Sequence, residues 1–396
     1  HGLEVIGVDT NPEVIATLQA GGLHIEEAGL GDLFHQAVAA GRLRFQASPT
    51  PADAFIIAVP TPFYGHKQAD LRAVRAAAAA ITPHLRPGNL VILESTSPPA
   101  TTRQVVAPIL EAGGLRAGVD FHLAYSPERV LPGQILRELI ENARVIGGID
   151  PASASAGADL YRYFVRGQIV QTDATTAEMV KLMENTYRDV NIAIANEFAR
   201  LAERFGIDVW QAIQIANLHP RVQILNPGPG VGGHCISVDP WFLVEAAPDL
   251  TPLIHTARQV NDDQPARVVA RLRTALGGEV RGRRIAVLGL AYKPDVDDLR
   301  ESPAVAVAVQ LAQAGAQVVA CEPHQPEARL PGVIVTGSLS EALAGAEALV
   351  VLVRHTAFAG LTPAQVTAEI VLDTVNLLDP DAWAAAGIPL LRLGVG

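Results

Sequence analysis

One cysteine sits inside a run of glycines, Asn226-Pro-Gly-Pro-Gly-Val-Gly-Gly-His-Cys235-Ile-Ser-Val-Asp239. A thiolate is the strongest nucleophile among common side chains once donors or positive charge lower its pKa, and glycines let backbone N–H groups approach a ligand closely. Cys235, with a carboxylate four residues on, is therefore a candidate for covalent catalysis; the plainer alternative is an inert loop cysteine beside turn-making glycines. The other cysteine, Cys321, ends the apolar run Ala316-Gln-Val-Val-Ala-Cys321 and reads as a small buried hydrophobe. A second candidate is Lys181 with Asn185. The chain holds three lysines, Lys67, Lys181 and Lys293, in a sequence that otherwise uses arginine for its positive charge. Lys181, Asn185 and Arg188 fall on one face at helical spacing, and an ammonium beside a carboxamide can stabilise an oxyanion or alkoxide. A solvated stripe is the alternative, and for Arg188 the preferred one, with Val180, Met183, Tyr187 and Ile194 left to pack on other faces. A third candidate is the loop Gly289–Pro303, which offers Lys293 and Arg300 to phosphates in otherwise acidic surroundings. A zinc site of His219, His234 and Cys235 is disfavoured, because adjacent His and Cys cannot easily chelate one ion and no C-x-x-C or H-x-x-x-H pair exists.

These groups need a frame. Leu3–Asp9 reads as a short buried strand ending in an acid, followed by a helix with Asn11 as N-cap and Pro12 at its first position. In a dinucleotide-binding fold the acid ending the second strand takes ribose hydroxyls, and a plain strand-end acid is the equal alternative for Asp9. Alternation continues with a strand at 54–59, a helix at 71–81, a strand at 90–93 and a helix at 104–112, which implies a parallel sheet covered on both faces. No G-x-G-x-x-G turn precedes Leu3, so the expectation is a Rossmann-like unit without its first strand and glycine loop. Residues 176–205 form a long helical pattern of about 45 Å, closed by Gly206. A polar stretch near 261–273 then leads to a second α/β layer, with strands at 284–290, 317–321, 348–353 and 370–372. The expected architecture is α/β, two Rossmann-like doubly wound parallel-sheet domains (1–170 and 276–396) joined through a central helical domain (171–275) that carries the long helix and the cysteine loop.

Composition narrows the partners. The 396 residues suffice for two or three domains. Thirty basic against 41 acidic side chains leave a net charge of −11, which repels nucleic acid and anionic lipid, and the sequence concentrates no basic patch. No apolar stretch reaches the roughly 18 residues of a membrane span, and two isolated cysteines make no disulfide framework, which points to a reducing cytoplasm.

Several stretches together resemble the UDP-glucose/GDP-mannose dehydrogenase superfamily, nearest its N-acetylmannosamine branch: Glu94-Ser-Thr-Ser-Pro98, Tyr125–Gly133, Arg144–Gly148, Glu184–Asn191, His219-Pro-Arg221, the cysteine loop and Gly289–Pro303. They follow the family's order along nearly the whole chain. The resemblance implies a four-electron, NAD-dependent oxidation of a UDP-sugar C6 alcohol to the uronate, a step of polysaccharide biosynthesis, through a thioester on Cys235. It gives Lys181 and Asn185 the developing oxyanion, Glu128 the protons, and Asp239 with Thr96 the hydrolytic water. Each has a plainer alternative: Glu128 as a surface pair with Arg129, Thr96 as a strand-end cap, Asp239 before Pro240 as a turn former. By the same resemblance Asp9, Pro60, Thr61, Thr96 and Arg300 bind the cofactor, while Glu128, Arg129, Arg221, Gly232 and Lys293 bind substrate, with Arg221 reaching across a homodimer in one version. Val238 stands where the UDP-glucose branch carries lysine, so substrate choice rests on a few loop residues. Oxidation of UDP-N-acetylglucosamine or UDP-glucose, and non-catalytic nucleotide-sugar binding without the glycine loop, stay open as alternatives.

Overall fold

The computed structural model describes residues 2–23, 27–65, 67–130 and 133–396; Leu131 and Pro132 of the family-like stretch Tyr125–Gly133 lie outside the described residues. The chain divides into two compact units, His1–Glu184 and Asn185–Gly396.

In the first unit, Val5–Val8 pairs in parallel with Leu43–Gln46 as a sheet of its own. The helix Pro12–Gln19 starts as the sequence implies, with Asn11 Oδ1 accepting the Glu13 N–H at 2.9 Å. A five-stranded sheet follows in the order Ala54–Ile57, Leu90–Leu93, His122–Tyr125, Arg144–Gly148, Ile169–Asp173. All four residues of Leu90–Leu93 are buried, as an inner strand covered on both faces requires. Val5, Val8 and Ile56, on strands that end their sheets, are exposed. One departure from the parallel expectation matters: Arg144–Gly148 runs antiparallel to His122–Tyr125, with Ala124 opposite Gly148 and Tyr125 opposite Gly147. In a parallel strand Arg144 would lie at the amino end of the sheet. Reversal carries it to the carboxyl end of His122–Tyr125, where two carboxylates hold it.

The long helix is Ala174–Phe205, 32 residues, with Asp173 Oδ1 accepting the Thr176 N–H at 3.0 Å at its start and Gly206 at φ 69° ending it. The boundary between the units falls inside this helix. Met183, Tyr187 and Ile194, expected to pack, are exposed.

The stretch read as a polar connection in the second unit is instead two helices, Pro252–Asp262 and Gln264–Ala275. Its polarity misleads because Arg258, Asn261 and Gln264 are themselves buried, while Val268, Val269 and Leu272 enter the core below. The six-stranded sheet is parallel throughout, in the order Val333–Thr336, Gln317–Cys321, Arg284–Leu288, Ala348–Val351, Ile370–Asp373, Leu390–Arg392. Counted from Arg284 that is 3-2-1-4-5-6, the doubly wound order. Its switch point, where such folds take their ligand, lies between Arg284–Leu288 and Ala348–Val351. The loop beginning at Gly289 leaves the sheet there, and a Cβ on Gly289 would stand 2.4 Å from Val353.

Candidate active site

Short loops at the carboxyl ends of strands build the site in the first unit. Ser95 Oγ accepts the Val59 N–H at 2.9 Å and donates to the Val59 carbonyl at 2.7 Å. Thr61 Oγ1 donates to the Thr96 carbonyl at 2.6 Å, so Pro60, Thr61 and Thr96 come together on two linked loops. Lys181 is buried at 8% exposure, and its Nζ donates to the Glu128 carbonyl at 2.8 Å. That is its hydrogen-bond partner among the described residues, which leaves two N–H groups for a ligand. Arg129 turns away to Glu184 at 2.7 Å, and its backbone N–H donates to Glu128 Oε1 at 2.6 Å. The Glu128–Arg129 surface pair is therefore not what forms. The Glu128 carboxylate faces buried Arg144 instead, 3.1 Å from Oε2, and the same guanidinium reaches Glu94 Oε1 at 3.3 Å and Ser126 Oγ at 3.4 Å while lying 4.5 Å from the Tyr161 ring centre. Tyr161 donates to Glu94, whose carboxyl burial pushes up from its usual range. Asp9 stands apart and exposed: Oδ1 accepts the Asn11 N–H at 2.8 Å, and Oδ2 has no hydrogen bond among the described residues.

The second unit holds the cysteine loop. The Cys235 carbonyl accepts the Val238 N–H at 3.0 Å and the Asp239 N–H at 2.8 Å, turning the chain directly into the helix Asp239–Ala246. Asp239, 2% exposed, takes a hydrogen bond from Asn185 Nδ2, and Arg188 donates to Asn185 Oδ1. Arg188 is exposed, as the solvated-stripe reading has it, and through this bond it also fixes which way the Asn185 amide points. The glycines are compulsory where the loop meets Tyr292. Gly233 has φ 83°, and a Cβ on it would come within 2.8 Å of that ring; one on Gly232 would meet the Glu301 carbonyl at 2.7 Å. Gly233 N–H donates to the Arg300 carbonyl at 3.1 Å. Burial, with the charges of Asp298 and Cys235, raises the Tyr292 hydroxyl above its usual pKa. Arg300 clamps Asp298 through Nε at 2.9 Å and Nη2 at 2.7 Å, and Lys293 Nζ lies 5.7 Å from the Tyr292 ring centre. Arg221 is exposed in its loop. His219 Nδ1 accepts the Arg221 N–H at 3.3 Å, and His234 Nδ1 lies 3.7 Å from Asp298.

Residues 1–165 match the NAD binding domain of the UDP-glucose/GDP-mannose dehydrogenase family, residues 175–263 its central domain, and residues 286–380 its UDP binding domain. The chain belongs to that family. It is 44% identical to the UDP-N-acetyl-D-mannosamine dehydrogenase of Methanococcus maripaludis over all of this chain and 92% of the relative, and 47% identical to an NDP-N-acetyl-D-galactosaminuronic acid dehydrogenase of Ralstonia solanacearum over 96% of this chain and 92% of the relative. The solved UDP-D-ManNAc dehydrogenase of Pyrococcus horikoshii superposes with a TM-score of 0.90 at 38% identity, covering 99% of this chain and 94% of that one. An NAD-dependent nucleotide-sugar dehydrogenase follows from the family and its three domains. The residues present fit NAD: Asp9 keeps a carboxylate oxygen for a ribose hydroxyl, and the linked loops at 59–61 and 95–97 lie at the carboxyl ends of strands, where such folds hold a dinucleotide. In this family member, sequence reasoning overlooked Arg144, Glu94, Tyr161 and Tyr292 as site residues. The first two open motifs it did quote, and a charged residue leading a strand of otherwise apolar and glycine residues is the signal that marks Arg144.

Proposed function

We propose that this dehydrogenase oxidises the C6 alcohol of UDP-N-acetylmannosamine to the uronate through a thioester on Cys235. The carrying observation is the closure of the cysteine loop onto Asp239, whose buried carboxylate is aimed by Asn185. When bound, NAD supplies a hydride acceptor for each of the two oxidations. Cys235 adds through sulfur to the C6 aldehyde, forming an S–C bond; the second oxidation turns that adduct into a thioester, and water breaks the S–C bond, returning the thiol and leaving a carboxylate. Lys181 and Asn185 stabilise the oxygen that becomes negative as sulfur adds. Glu128 accepts protons, and Asp239 with Thr96 positions the water. Asp9, Pro60, Thr61, Thr96 and Arg300 would hold NAD; Arg129, Arg221, Gly232 and Lys293 would hold the UDP-sugar. Support for the mannosamine substrate comes from the names borne by the Methanococcus and Pyrococcus relatives. The Ralstonia relative favours a galactosamine-type sugar as the second reading.

The domain limits 1–170, 171–275 and 276–396 belong to this proposal, as do a cytoplasmic location, supported by two free cysteines, and a homodimer. No helix among the described residues is long and apolar enough to cross a membrane. The test is to count NADH with UDP-N-acetylmannosamine and its galactosamine counterpart as substrates. Two NADH per mannosamine sugar are expected, with no four-electron product from Cys235→Ala and a stalled, slowly hydrolysed ester from Cys235→Ser, since an alkoxide is harder to form and a poorer leaving group. One NADH per sugar with free aldehyde released would refute the thioester route.

A further inference from the structure

Arg144 is a cation in a place where few are tolerated. It is 5% exposed, leads the first of the two strands that run against the other three in its sheet, and spends its guanidinium on two carboxylates that lie far apart in sequence. Two acids and one arginine are not an electrically neutral set. Glu94 and Glu128 therefore share a single positive charge, and losing either carboxylate leaves the arginine to the other. Around Glu128 the other charged groups are Lys181 from the long helix, on its backbone carbonyl; Arg129 next to it, turned to Glu184; and Glu138 from the helix Ile135–Glu141, which lines the same small cleft with Asn142. Tyr161, from the helix Pro151–Tyr161, touches the set through Glu94.

We propose that Arg144 is a positioning residue for the oxidation, orienting the Glu128 carboxylate with one arm of its guanidinium and sharing its charge with Glu94, so that Glu94 tunes the field at the proton acceptor. The arrangement also ties the strand end that leads to Thr96 to the loop that carries Glu128, since Glu94 lies two residues before Thr96. This rests on the reading of Glu128 as the proton acceptor, and the strand reversal at Arg144–Gly148 is its structural cause.

The experiment is the pH profile of kcat/KM for the wild type, Arg144→Gln and Glu94→Gln, each first checked for native melting behaviour. Removing the cation should move the acid limb to higher pH by about one unit; removing the competing carboxylate should move it to lower pH by a similar amount. Opposite shifts are a signature that a purely structural role does not give. Arg144→Lys, which keeps the charge but loses the fork, should keep the limb within a few tenths of a unit and lower kcat by on the order of 10-fold. If Arg144→Gln does not fold, Glu94→Gln and Arg144→Lys still decide. Limbs that stay in place, or move the same way in both charge-removing variants, overturn the proposal. Glu128→Gln with undiminished kcat would overturn the reading beneath it, and is recognised separately because that variant leaves Arg144 and Glu94 untouched.

Discussion

At the scale of single residues, a side chain can meet a ligand through the polar atoms that its neighbours leave uncommitted. Lys181 is the clearest case, with one N–H on the Glu128 carbonyl and a buried ammonium otherwise uncommitted among the described residues. Its charge favours an oxyanion more than the neutral alcohol that precedes it, so Lys181→Ala should lower kcat by on the order of 10²-fold with a much smaller change in KM, measured by NADH formation. An unchanged kcat would return the side chain to a structural role. Cys235, Lys181 and Asp239 were legible as candidates in the sequence because their types are unusual for their surroundings: a thiol among glycines, one of three lysines, an acid before a proline. Arg144 and Tyr161 were not. Their meaning lies in contacts with Glu94 that span 50 and 67 residues, and no local pattern encodes these. The bond from Arg188 to Asn185 was hidden for a related reason, since spacing shows which face a side chain shares but not which atom it bonds.

At the scale of elements, the strands of the second unit were legible because fully apolar runs bounded by glycine leave little choice, and Arg284–Leu288 and Gln317–Cys321 form where expected. Glu322, just past the latter, was not. In a dinucleotide-binding unit an acid at the end of the second strand meets ribose; here it is wholly buried and accepts the Leu290, Ala291 and His324 N–H groups at 2.7, 3.0 and 3.0 Å, with His355 Nε2 at 3.2 Å. His355 Nδ1 in turn accepts the Asp295 N–H at 2.9 Å, so carboxylate and imidazole clamp the loop on either side of Lys293. Burial alone would raise the Glu322 carboxyl, yet the hydrogen bonds from His355 and the loop N–H groups outweigh it and hold the group below its usual range. A depressed folded-state pKa gives stability that is complete above the ordinary carboxylate range and is lost as pH falls through the lower, folded value. Glu322→Gln, which turns an amide N–H toward N–H donors, should cost about 2–4 kcal/mol at neutral pH and flatten the acid side of the stability curve, by urea melts from pH 3 to 7. An unaltered acid slope would show that the clamp does not depend on the charge.

At the scale of the whole molecule, the long helix presents Tyr187, Ile194, Phe198, Leu201 and Phe205 to solvent, between 40% and 70% exposed and spaced so that they form one stripe. Contiguous apolar surface of this kind marks an association site, and a second copy of the chain is the occupant the homodimer proposal requires. Sedimentation equilibrium should give twice 41.7 kDa for the wild type, and Phe198→Glu should shift the mass toward 41.7 kDa. A wild-type monomer at micromolar concentration would remove the dimer from the proposal. The sequence hid this stripe because helical periodicity shows an apolar face without saying what covers it, and Tyr187 and Ile194 were expected to pack within the chain.

The two thiols of the chain have opposite fates. Cys321 is 1% exposed in the sheet, and burial first, then the neighbouring Glu322 charge, pushes its pKa up to about 11; Cys235 stands partly open in its glycine loop. An alkylating reagent at neutral pH therefore meets one open target per chain, so under the thioester proposal the moles of reagent consumed become a census of competent sites in a preparation, and bound sugar nucleotide should slow that consumption.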